Sequence, residues 1–311
     1  MRDNELGVAA ARPVVKWAGG KSRLLSDLVE RLPAGRFKTY AEPFIGGGAM
    51  FFALATAKPK RFERALLSDK NAELVALYRA VKTDVGALVE RLRDYQSTHL
   101  AKDIEARREH FYEVRKNDKL EGDVERGARL VFLNKTCFNG LWRVNASGRF
   151  NVPFGNYASP KILDEVTLKA ASRALACAEI RCADYSEIAG ELRRGDFAYF
   201  DPPYAPVSKT ANFTAYARDR FGWEEQEKLA DAIEKLAKKG VQAMLSNAAT
   251  AELHRLYRQH HFHVTTIRAA RAINSDPTKR GEVEEIVATT YDPPSRAQVQ
   301  PPRARRTGAS A

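Results

Sequence analysis

The feature that most constrains this chain of 311 residues is a short, largely apolar stretch that ends directly on a carboxylate, and it occurs twice. Residues 65–68 run into Asp69, and residues 197–200 run into Asp201. Each stretch has the length of a buried strand and is too short for a typical helix. When such strands alternate with helices, the polar groups at their ends meet along one edge of a parallel sheet. We therefore expect an α/β fold whose site lies at that edge.

Other short runs predict further strands, at residues 39–42, 241–245 and 285–290. Residues 223–238 have the pattern of an amphipathic helix. Residues 72–164 break the alternation because helical patterns follow one another at 74–92 and 104–114. We interpret this region as a mostly helical insertion. The predicted organisation is a sheet domain of residues 1–71 and 165–292, an insertion of residues 72–164, and a disordered basic tail of residues 293–311.

The net charge of the chain indicates which class of molecule it binds. The chain has 51 Lys and Arg against 39 Asp and Glu, which gives a formal net charge of +12. Such an excess favours a polyanion, because cations placed near phosphates release condensed counterions. Solubility alone is the alternative explanation. No run approaches the roughly 18 apolar residues of a membrane-spanning helix, and the N-terminus lacks the apolar core of a signal peptide. We expect a cytoplasmic protein with no membrane association.

No metal site is expected from the sequence. The three cysteines are too few for a disulfide framework or a Cys-rich zinc site. The His-His-Phe-His run at residues 260–263 offers metal-ligand side chains, but no acidic residue or cysteine accompanies it in the sequence. The prediction is a reduced protein without a resident metal.

Three consecutive glycines, Gly46–Gly48, follow the predicted strand at 39–42. Glycines there let the backbone approach a ligand closely, and a following helix presents free N–H groups to it. Asp69 ends the next strand, where an acid can accept hydrogen bonds from ribose hydroxyls. The contiguous glycines do not fit the spaced dinucleotide fingerprint, so a simple tight turn before a helix remains the alternative.

The segment Lys16-Trp-Ala-Gly-Gly-Lys21-Ser22 looks at first like a nucleotide-binding P-loop. The P-loop pattern requires a glycine where this chain has Val15, and no strand is predicted before it. We therefore exclude a P-loop NTPase. What remains is a loop of lysine, tryptophan and glycine that suits a small anionic or zwitterionic group.

The most informative motif is Asp201-Pro202-Pro203-Tyr204, directly after the strand at 197–200. The two prolines stiffen the loop and restrict where its carbonyl groups point. The Asp201 carboxylate and the Pro202 carbonyl can accept the two N–H groups of an exocyclic amine, and Tyr204 can stack on its ring. Such hydrogen bonds stabilise the positive charge that develops when the amine attacks a methyl sulfonium. A Pro-Pro turn with an exposed tyrosine is the alternative.

Taken together, these motifs resemble those of the Dam-type DNA adenine N6-methyltransferases. The matching segments occur in the family's order: KWAGGK at 16–21, EPFIGGG at 42–48, LLSDKN at 66–71, NGLWRVNASGRFNVPFGNY at 139–157, DPPY at 201–204 and RGEVEEIVATTY at 280–291. The resemblance covers nearly all of the chain except the tail. It implies a Rossmann-like seven-stranded methyltransferase sheet with a DNA-recognition insertion, and base flipping of the target adenine.

The resemblance also assigns roles to residues. It implies S-adenosylmethionine as cofactor, double-stranded DNA as partner, a monomer, and a bacterial or phage origin. Its cofactor positions are Trp17, Lys21, Phe44, Asp69 and Asp201. Its catalytic positions are Asp201, Pro202 and Tyr204. Its DNA-contacting positions are Lys16, Asn139, Leu141, Arg143, Pro153 and Tyr157.

Residues 134–157 support a nucleic-acid contact independently of the resemblance. They carry three cations, five aromatic residues and no acid. Aromatic, arginine and asparagine side chains can wedge into a duplex and bond base edges. A packed hairpin with an incidental arginine is the alternative. The implied target is GATC, although Asn156 stands where the family commonly has a basic residue.

Other functions remain to be weighed. An Asp-Pro-Pro-Tyr loop also suits methylation of an amine in RNA or in a protein glutamine, and a non-catalytic DNA-binding module could keep the same fold. The 139–157 segment disfavours the first, and the intact Asp201–Tyr204 loop disfavours the second. No cysteine follows a proline, which excludes the Pro-Cys loop of cytosine-C5 methyltransferases. The resemblance is compatible with a solitary enzyme and with the methylating partner of a restriction nuclease.

Overall fold

The computed structural model of the protein describes residues 9–204, 221–270 and 282–294. Its centre is a seven-stranded sheet in the order β3-β2-β1-β4-β5-β7-β6. The strands are β1 Phe37–Glu42, β2 Phe62–Asp69, β3 Ala178–Cys182, β4 Phe197–Phe200, β5 Gln242–Ala248, β6 His263–Ala270 and β7 Glu282–Thr289. Neighbours among β1 to β5 pair in parallel, and β7 lies antiparallel between β5 and β6. The predicted seven-stranded, Rossmann-like α/β fold is confirmed.

Helices cover both faces of this sheet. Within the described ranges they are α1 Leu25–Glu30, α2 Ala49–Thr56, α3 Ala72–Thr83, α4 Val85–Leu100, α5 Ile104–Lys116, α6 Asp123–Thr136, α7 Glu165–Leu175, α8 Tyr185–Glu191, α9 Trp223–Lys238 and α10 Ala251–Gln259. The predicted helix at 223–238 coincides with α9. The pattern at 74–92 proves to be two helices, because Asp84 leaves the helical conformation and its side chain caps α4 by accepting the N–H of Ala87.

Two strands were not predicted from the sequence, and both lie at the edges of the sheet. β3 and β6 each have a neighbour on one side only. β3 carries Glu179 and Arg181 between its buried residues, and β6 carries Arg268 in an exposed position. Strands that keep polar side chains in contact with water do not give the continuous apolar run that marked β4, whose four residues are all buried.

The region predicted as an insertion shares its core with one face of the sheet. The buried side chains of α4, α5 and α6 belong to the same apolar cluster as those of β1, α2 and α7. The first helix of the region, α3, lies against the sheet, since Arg79 and Lys82 donate hydrogen bonds to the carbonyl oxygens of Ile180 and Ala178 in β3. A second cluster on the opposite face packs α8, α9 and α10 against β4 and β5. The domain division at residues 72–164 stays a prediction.

Several sequence-based expectations concern the periphery. None of the helices in the described ranges is long and apolar enough to cross a membrane. The expectation that His260 has no acidic neighbour is wrong, because α9 and α10 pack together and bring Asp231 and Glu234 beside it. Glu234 accepts a hydrogen bond from His260 and forms an ion pair with Lys238. Two predicted segments lie largely outside the described residues: a loop at 273–282, whose cations suit DNA contact and simple solvation equally, and the tail at 293–311.

Glu42 ends β1 and is 2% exposed although it carries a carboxyl group. The Tyr40 hydroxyl donates a hydrogen bond of 2.7 Å to it. Burial raises the pKa of Glu42 to about 8, and the nearby Asp201 charge adds to this rise, while hydrogen bonds from the Tyr40 hydroxyl and the Phe51 N–H oppose it. Glu42 is therefore mostly protonated in the folded protein at pH values where it is ionised in the unfolded chain.

This difference predicts a pH-dependent stability. Between the ordinary glutamate pKa and pH 8, the folded state binds one more proton at Glu42 than the unfolded state does, so stability falls as pH rises, by at most about 1.4 kcal/mol per pH unit. Glu42→Gln removes this loss. We expect the variant to unfold at higher urea concentration than the wild type at pH 8, with the gap closing towards pH 5.

The matched control is Glu63→Gln, since the Glu63 side chain is 77% exposed on β2. It should follow the wild type at both pH values. A wild-type protein and a Glu42→Gln variant with the same pH dependence of unfolding would contradict the raised pKa of Glu42.

Candidate active site and nucleic-acid interface

An open cleft with a volume of about 2010 Å³ lies at the carboxyl ends of β1, β2 and β4. The sequence predicted a site at this edge of the sheet, where two strands end on Asp69 and Asp201. The predicted site residues that line it are Lys16, Trp17, Lys21, Phe44, Asp69, Asn139, Leu141, Asp201, Pro202 and Tyr204. Arg143, Pro153 and Tyr157 are not among its lining residues.

The glycine turn between β1 and α2 is held by hydrogen bonds from two neighbouring elements. Asp69, at the end of β2, accepts the N–H of Gly46 at 3.1 Å on one carboxylate oxygen and the N–H of Asn71 at 2.9 Å on the other. The hydroxyl of Tyr78 in α3 donates to the Gly46 carbonyl. Gly48 adopts a left-handed conformation with φ of 70°, which a glycine tolerates at no cost. Burial raises the pKa of Asp69, although these backbone N–H groups oppose the rise.

Trp17 joins the glycine turn to the inserted region. A Cβ atom placed on Gly46 would lie 3.0 Å from the Trp17 ring, so a larger residue in this left-handed position would press against the ring. Trp17 also stacks with Trp142 of the insertion, with ring centroids 6.2 Å apart. The tryptophan of the 16–21 loop is therefore placed between the glycine turn and the 139–157 segment.

Phe44 lies on the other side of the turn in an aromatic cluster. Its ring stacks with Tyr185 at the start of α8 and meets Phe221 edge to face. Ala183, Tyr185 and Phe221 also line the cleft. This end of the cleft offers flat apolar faces, whereas the end near Asp201 is charged.

The Asp201–Tyr204 loop leaves β4 into the cleft and meets the 16–21 loop there. Lys21 is 3% exposed, and its ammonium group lies 2.7 Å from Asp201 Oδ1, 3.1 Å from the Tyr204 hydroxyl and 3.7 Å from Glu285 Oε2. Glu285 comes from β7. Three distant segments of the chain thus meet at one buried lysine.

Nearby charges and burial shift the pKa of Lys21 in opposite directions. Burial alone would lower the pKa of Lys21, but the charges of Asp201, Tyr204 and Glu285 outweigh it and raise the pKa. Burial raises the pKa of Asp201, against the opposing effects of Lys21 and of the Ser246 hydroxyl. Lys21 therefore stays protonated and supports the ionised form of Asp201.

Residues 137–157 form an irregular hairpin, which we call the 137–157 hairpin. Antiparallel bridges join Cys137 to Phe154 and Val144 to Phe150. Asn145 accepts the backbone N–H groups of Ser147 and Arg149, which closes the turn. The hairpin exposes apolar side chains that proteins normally bury, namely Phe138, Leu141, Val144 and Tyr157.

The predicted DNA-contacting residues of the hairpin lie near its exposed surface. Asn139 has a left-handed backbone with φ of 57°, and its N–H donates to the Tyr157 hydroxyl. Pro153 is exposed, and its carbonyl accepts the N–H of Phe138. Arg143 is exposed and donates from Nε to the side-chain oxygen of Asn151.

Two cations counted in this segment differ from the sequence-based expectation. Arg149 forms an ion pair of 3.0 Å with Asp118. Asp118 lies before α6 and is distant from Arg149 in the sequence. Lys135 lies on α6, where burial lowers its pKa. Arg143 is the cation of the three whose contacts in the described ranges involve no acidic group.

Buried Asn134 ties the hairpin to the 16–21 loop. Its side chain accepts the N–H of Lys16 at 3.0 Å and donates to the carbonyl oxygens of Lys16 and Gly140 at 2.8 and 2.9 Å. A Cβ on Gly140 would lie 3.0 Å from the Lys16 side chain. Lys16 is thus placed against the hairpin, on the same surface as the other predicted DNA-contacting residues.

Sequence reasoning did not single out several residues that surround the loop at Asp201. Ser246 and Gln226 are buried, and no local pattern in the sequence marks them. Glu42 opens the segment EPFIGGG, which pointed to the family but not to the burial of this carboxyl group. Glu285 lies in the segment RGEVEEIVATTY, which pointed to the family but not to this contact. Phe138 was counted among the five aromatic residues of 134–157 but was not named as a DNA-contacting position.

Comparison with known proteins identifies the family of this chain. The family model of D12 class N6 adenine-specific DNA methyltransferases matches residues 17–273. The Type II methyltransferase M.MjaIII of Methanocaldococcus jannaschii is 40% identical over 290 residues, covering 90% of this chain and 99% of that protein. The DNA adenine methylases of Vibrio cholerae and Escherichia coli K12 are 36% and 34% identical, cover 89% of this chain, and are themselves covered to 95% and 94%.

These matches confirm the resemblance inferred from the motifs, because they extend over the sheet, the inserted region and the Asp201–Tyr204 loop alike. The chain therefore belongs to the D12 class of N6 adenine-specific DNA methyltransferases.

Proposed function

We propose that this protein transfers a methyl group from S-adenosylmethionine to N6 of an adenine that is flipped out of duplex DNA, within the sequence GATC. The observation that carries the proposal is the meeting of the Asp201–Tyr204 loop, the glycine turn and Asp69 in one cleft. Amine-binding and nucleoside-binding groups in the same cleft are what a methyl transfer between two such molecules requires.

The residues of the cleft fit the parts of S-adenosylmethionine. Each carboxylate oxygen of Asp69 accepts one backbone N–H group and keeps a lone pair for a ribose hydroxyl. The aromatic cluster around Phe44 offers a slot for the adenine ring of the cofactor. The 16–21 loop, with Trp17 and Lys21, lies beside the glycine turn and suits the amino-acid end. When bound, the cofactor supplies an electrophilic methyl group.

The chain's own residues prepare the target amino group. In the described part of the chain, Lys21 and Ser246 both contact Asp201 through Oδ1, so we assign Oδ2 to one N–H of the target amine. The Pro202 carbonyl accepts the second N–H, and Tyr204 stacks on the adenine ring. Hydrogen bonds to both N–H groups draw the nitrogen lone pair away from the ring and stabilise the positive charge that develops on attack. Lys21 opposes the rise that burial causes in the pKa of Asp201 and so favours the ionised form that this role uses.

The 137–157 hairpin supplies the DNA contacts in this proposal. Its exposed Phe138, Leu141 and Val144 can occupy the space left by a flipped base, and Arg143 can reach a base edge. The relatives from Vibrio cholerae and Escherichia coli are named DNA adenine methylases. GATC rests on the similarity of residues 139–157 to the family, from which Asn156 departs. Sequencing of modified bases in a methylation-free host that expresses this chain tests the base, the atom and the target together.

Asp201 is expected to act on the rate of methyl transfer. Asp201→Ala should reduce turnover on duplex DNA by roughly 10²–10³-fold, because it removes a hydrogen-bond acceptor aimed at developing charge. Asp201→Asn keeps an acceptor oxygen and should retain more activity than the alanine variant. Circular dichroism of both variants reports whether the fold survives. Turnover of Asp201→Ala at the wild-type rate would contradict the catalytic assignment.

Asp69 is expected to act on cofactor affinity. Asp69→Ala removes a charged acceptor from the proposed ribose contact, and such a hydrogen bond contributes about 1.5–3 kcal/mol. The dissociation constant for S-adenosylmethionine, measured by calorimetry, should therefore rise by roughly 10- to 100-fold. Binding of DNA without cofactor serves as the control and should change little. An unchanged cofactor affinity would remove Asp69 from the site.

Arg143 is expected to read a base. It can donate two parallel hydrogen bonds to guanine O6 and N7, and their loss should cost roughly 1–3 kcal/mol of discrimination at one base pair. Arg143→Ala should relax preference at one guanine-containing position and leave cofactor binding intact. Methylation rates on duplexes that differ from the target at single base pairs measure this.

The matched control is Arg149→Ala, because Arg149 lies in the same hairpin but is paired with Asp118. It should lower the rates on all duplexes to a similar extent or leave them unchanged. A uniform loss across the duplexes for Arg143→Ala would show that Arg143 contacts a phosphate and not a base.

A further inference from the structure

Two adjacent residues of β5, Ser246 and Asn247, are fully buried polar residues beside the Asp201–Tyr204 loop. Their side chains lead to opposite ends of that loop. Ser246 contacts Asp201, and Asn247 contacts Gln226 of α9, which in turn contacts Pro203. Buried polar groups of this kind cost free energy unless they are hydrogen-bonded, so their arrangement calls for a reason.

The first branch determines the direction of the Asp201 carboxylate. The Ser246 hydroxyl has one hydrogen, which it donates to Asp201 Oδ1 at 3.0 Å. It must therefore accept the hydrogen of the Tyr199 hydroxyl, 2.8 Å away. Tyr199 is fully buried and belongs to β4, the strand that ends directly before Asp201. The hydroxyl of Ser246 is thus oriented by β4 and orients the carboxylate that follows β4.

The second branch has an equally defined direction. The Asn247 side-chain oxygen accepts the N–H of Ala248 at 2.8 Å, which requires its amide nitrogen to face Gln226 and Tyr257. That nitrogen donates to Gln226 Oε1 at 2.9 Å. The amide nitrogen of Gln226 then faces the loop and donates to the Pro203 carbonyl at 3.2 Å. Each donor meets an acceptor only in this orientation.

The contact with Pro203 acts on the one backbone torsion of the Pro202-Pro203 pair that the two rings leave open. The two rings restrict φ at Pro202 and Pro203, and Pro203 restricts ψ at Pro202 because that residue precedes a proline. What remains is ψ at Pro203, which sets both the direction of its carbonyl and the position of Tyr204. A hydrogen bond to that carbonyl therefore holds Tyr204 in place.

We propose that Ser246 and the Asn247–Gln226 pair are positioning residues for methyl transfer: Ser246 orients Asp201, and Gln226, held by Asn247, orients Tyr204 through the Pro203 carbonyl. The inference rests on the proposed function, in which Asp201 and Tyr204 hold the target adenine. The inference adds that two adjacent residues of β5, Ser246 and Asn247, align Asp201 and Tyr204 at the two ends of the loop.

The first experiment uses Gln226→Met and Tyr257→Phe in the full-length protein. Methionine matches glutamine in length but cannot donate to Pro203. Tyr257→Phe removes a hydroxyl that accepts from the Asn247 amide at 2.8 Å and lies 3.5 Å from Gln226 Oε1. It leaves the hydrogen bonds from Asn247 to Gln226 and from Gln226 to Pro203, so it is the matched control. Gln226→Met should lower kcat by roughly 10- to 100-fold, the effect of a small misplacement of reacting groups. KM for DNA and the dissociation constant for S-adenosylmethionine should stay unchanged.

The comparison of the two variants decides the role of Gln226. We expect similar shifts of the unfolding temperature but a loss of kcat in Gln226→Met alone. Equal kcat values in the two variants would overturn the positioning role and leave Gln226 as a structural residue. Wild-type protein that does not methylate adenine with S-adenosylmethionine would overturn the proposed function, and this inference with it.

Ser246→Ala tests the other branch independently of whether Gln226→Met folds. Lys21, Glu285, Glu42 and Tyr199 remain around Asp201 in this variant, while the hydrogen bond that opposes the rise of its pKa is lost. Because the ionised carboxylate of Asp201 stabilises the developing positive charge better than the neutral acid does, the fall of kcat at acidic pH should move to higher pH. An acidic limb at the wild-type position would overturn the role of Ser246.

Discussion

The arrangement of the site depends on the buried ion pair between Lys21 and Asp201. It joins the loop that precedes the first strand to the end of the central strand β4, and Glu285 of β7 completes it. A buried ion pair loses much of its Coulombic gain to desolvation, so its contribution to stability is small. Its contribution to geometry is larger, because a buried charge has few positions in which it is satisfied. The 16–21 loop is therefore held at one place over the cleft, and Trp17 is held with it.

The sequence predicted the parts of this structure that local patterns encode. The central strands β2, β4 and β5 were recognisable because their buried parts are short apolar runs, and Asp69 and Asp201 were recognisable because they end two of those runs. The edge strands β3 and β6 were missed because polar side chains alternate along them.

The same limit applies to the site. The motif at 201–204 identified Asp201 and Tyr204, but Ser246 and Gln226 acquire their contacts only when β4, β5 and α9 pack together. Such residues look like any buried polar residue in the sequence. The pairing of Arg149 with Asp118 belongs to the same class, since it depends on how α5 and α6 place the segment between them beside the hairpin.

The shared core of the inserted region has a consequence for engineering. A recognition element that is a separate module can be exchanged between enzymes at two linker points. Here the insertion helices pack into the same cluster as α2 and α7, Asn134 hydrogen-bonds the backbone of the 16–21 loop, and Trp142 stacks on Trp17. Grafting the 137–157 hairpin of another enzyme would therefore also require matching partners for Lys16 and Trp17. New target sequences are better sought by substitution at the hairpin's exposed positions than by exchange of the whole element.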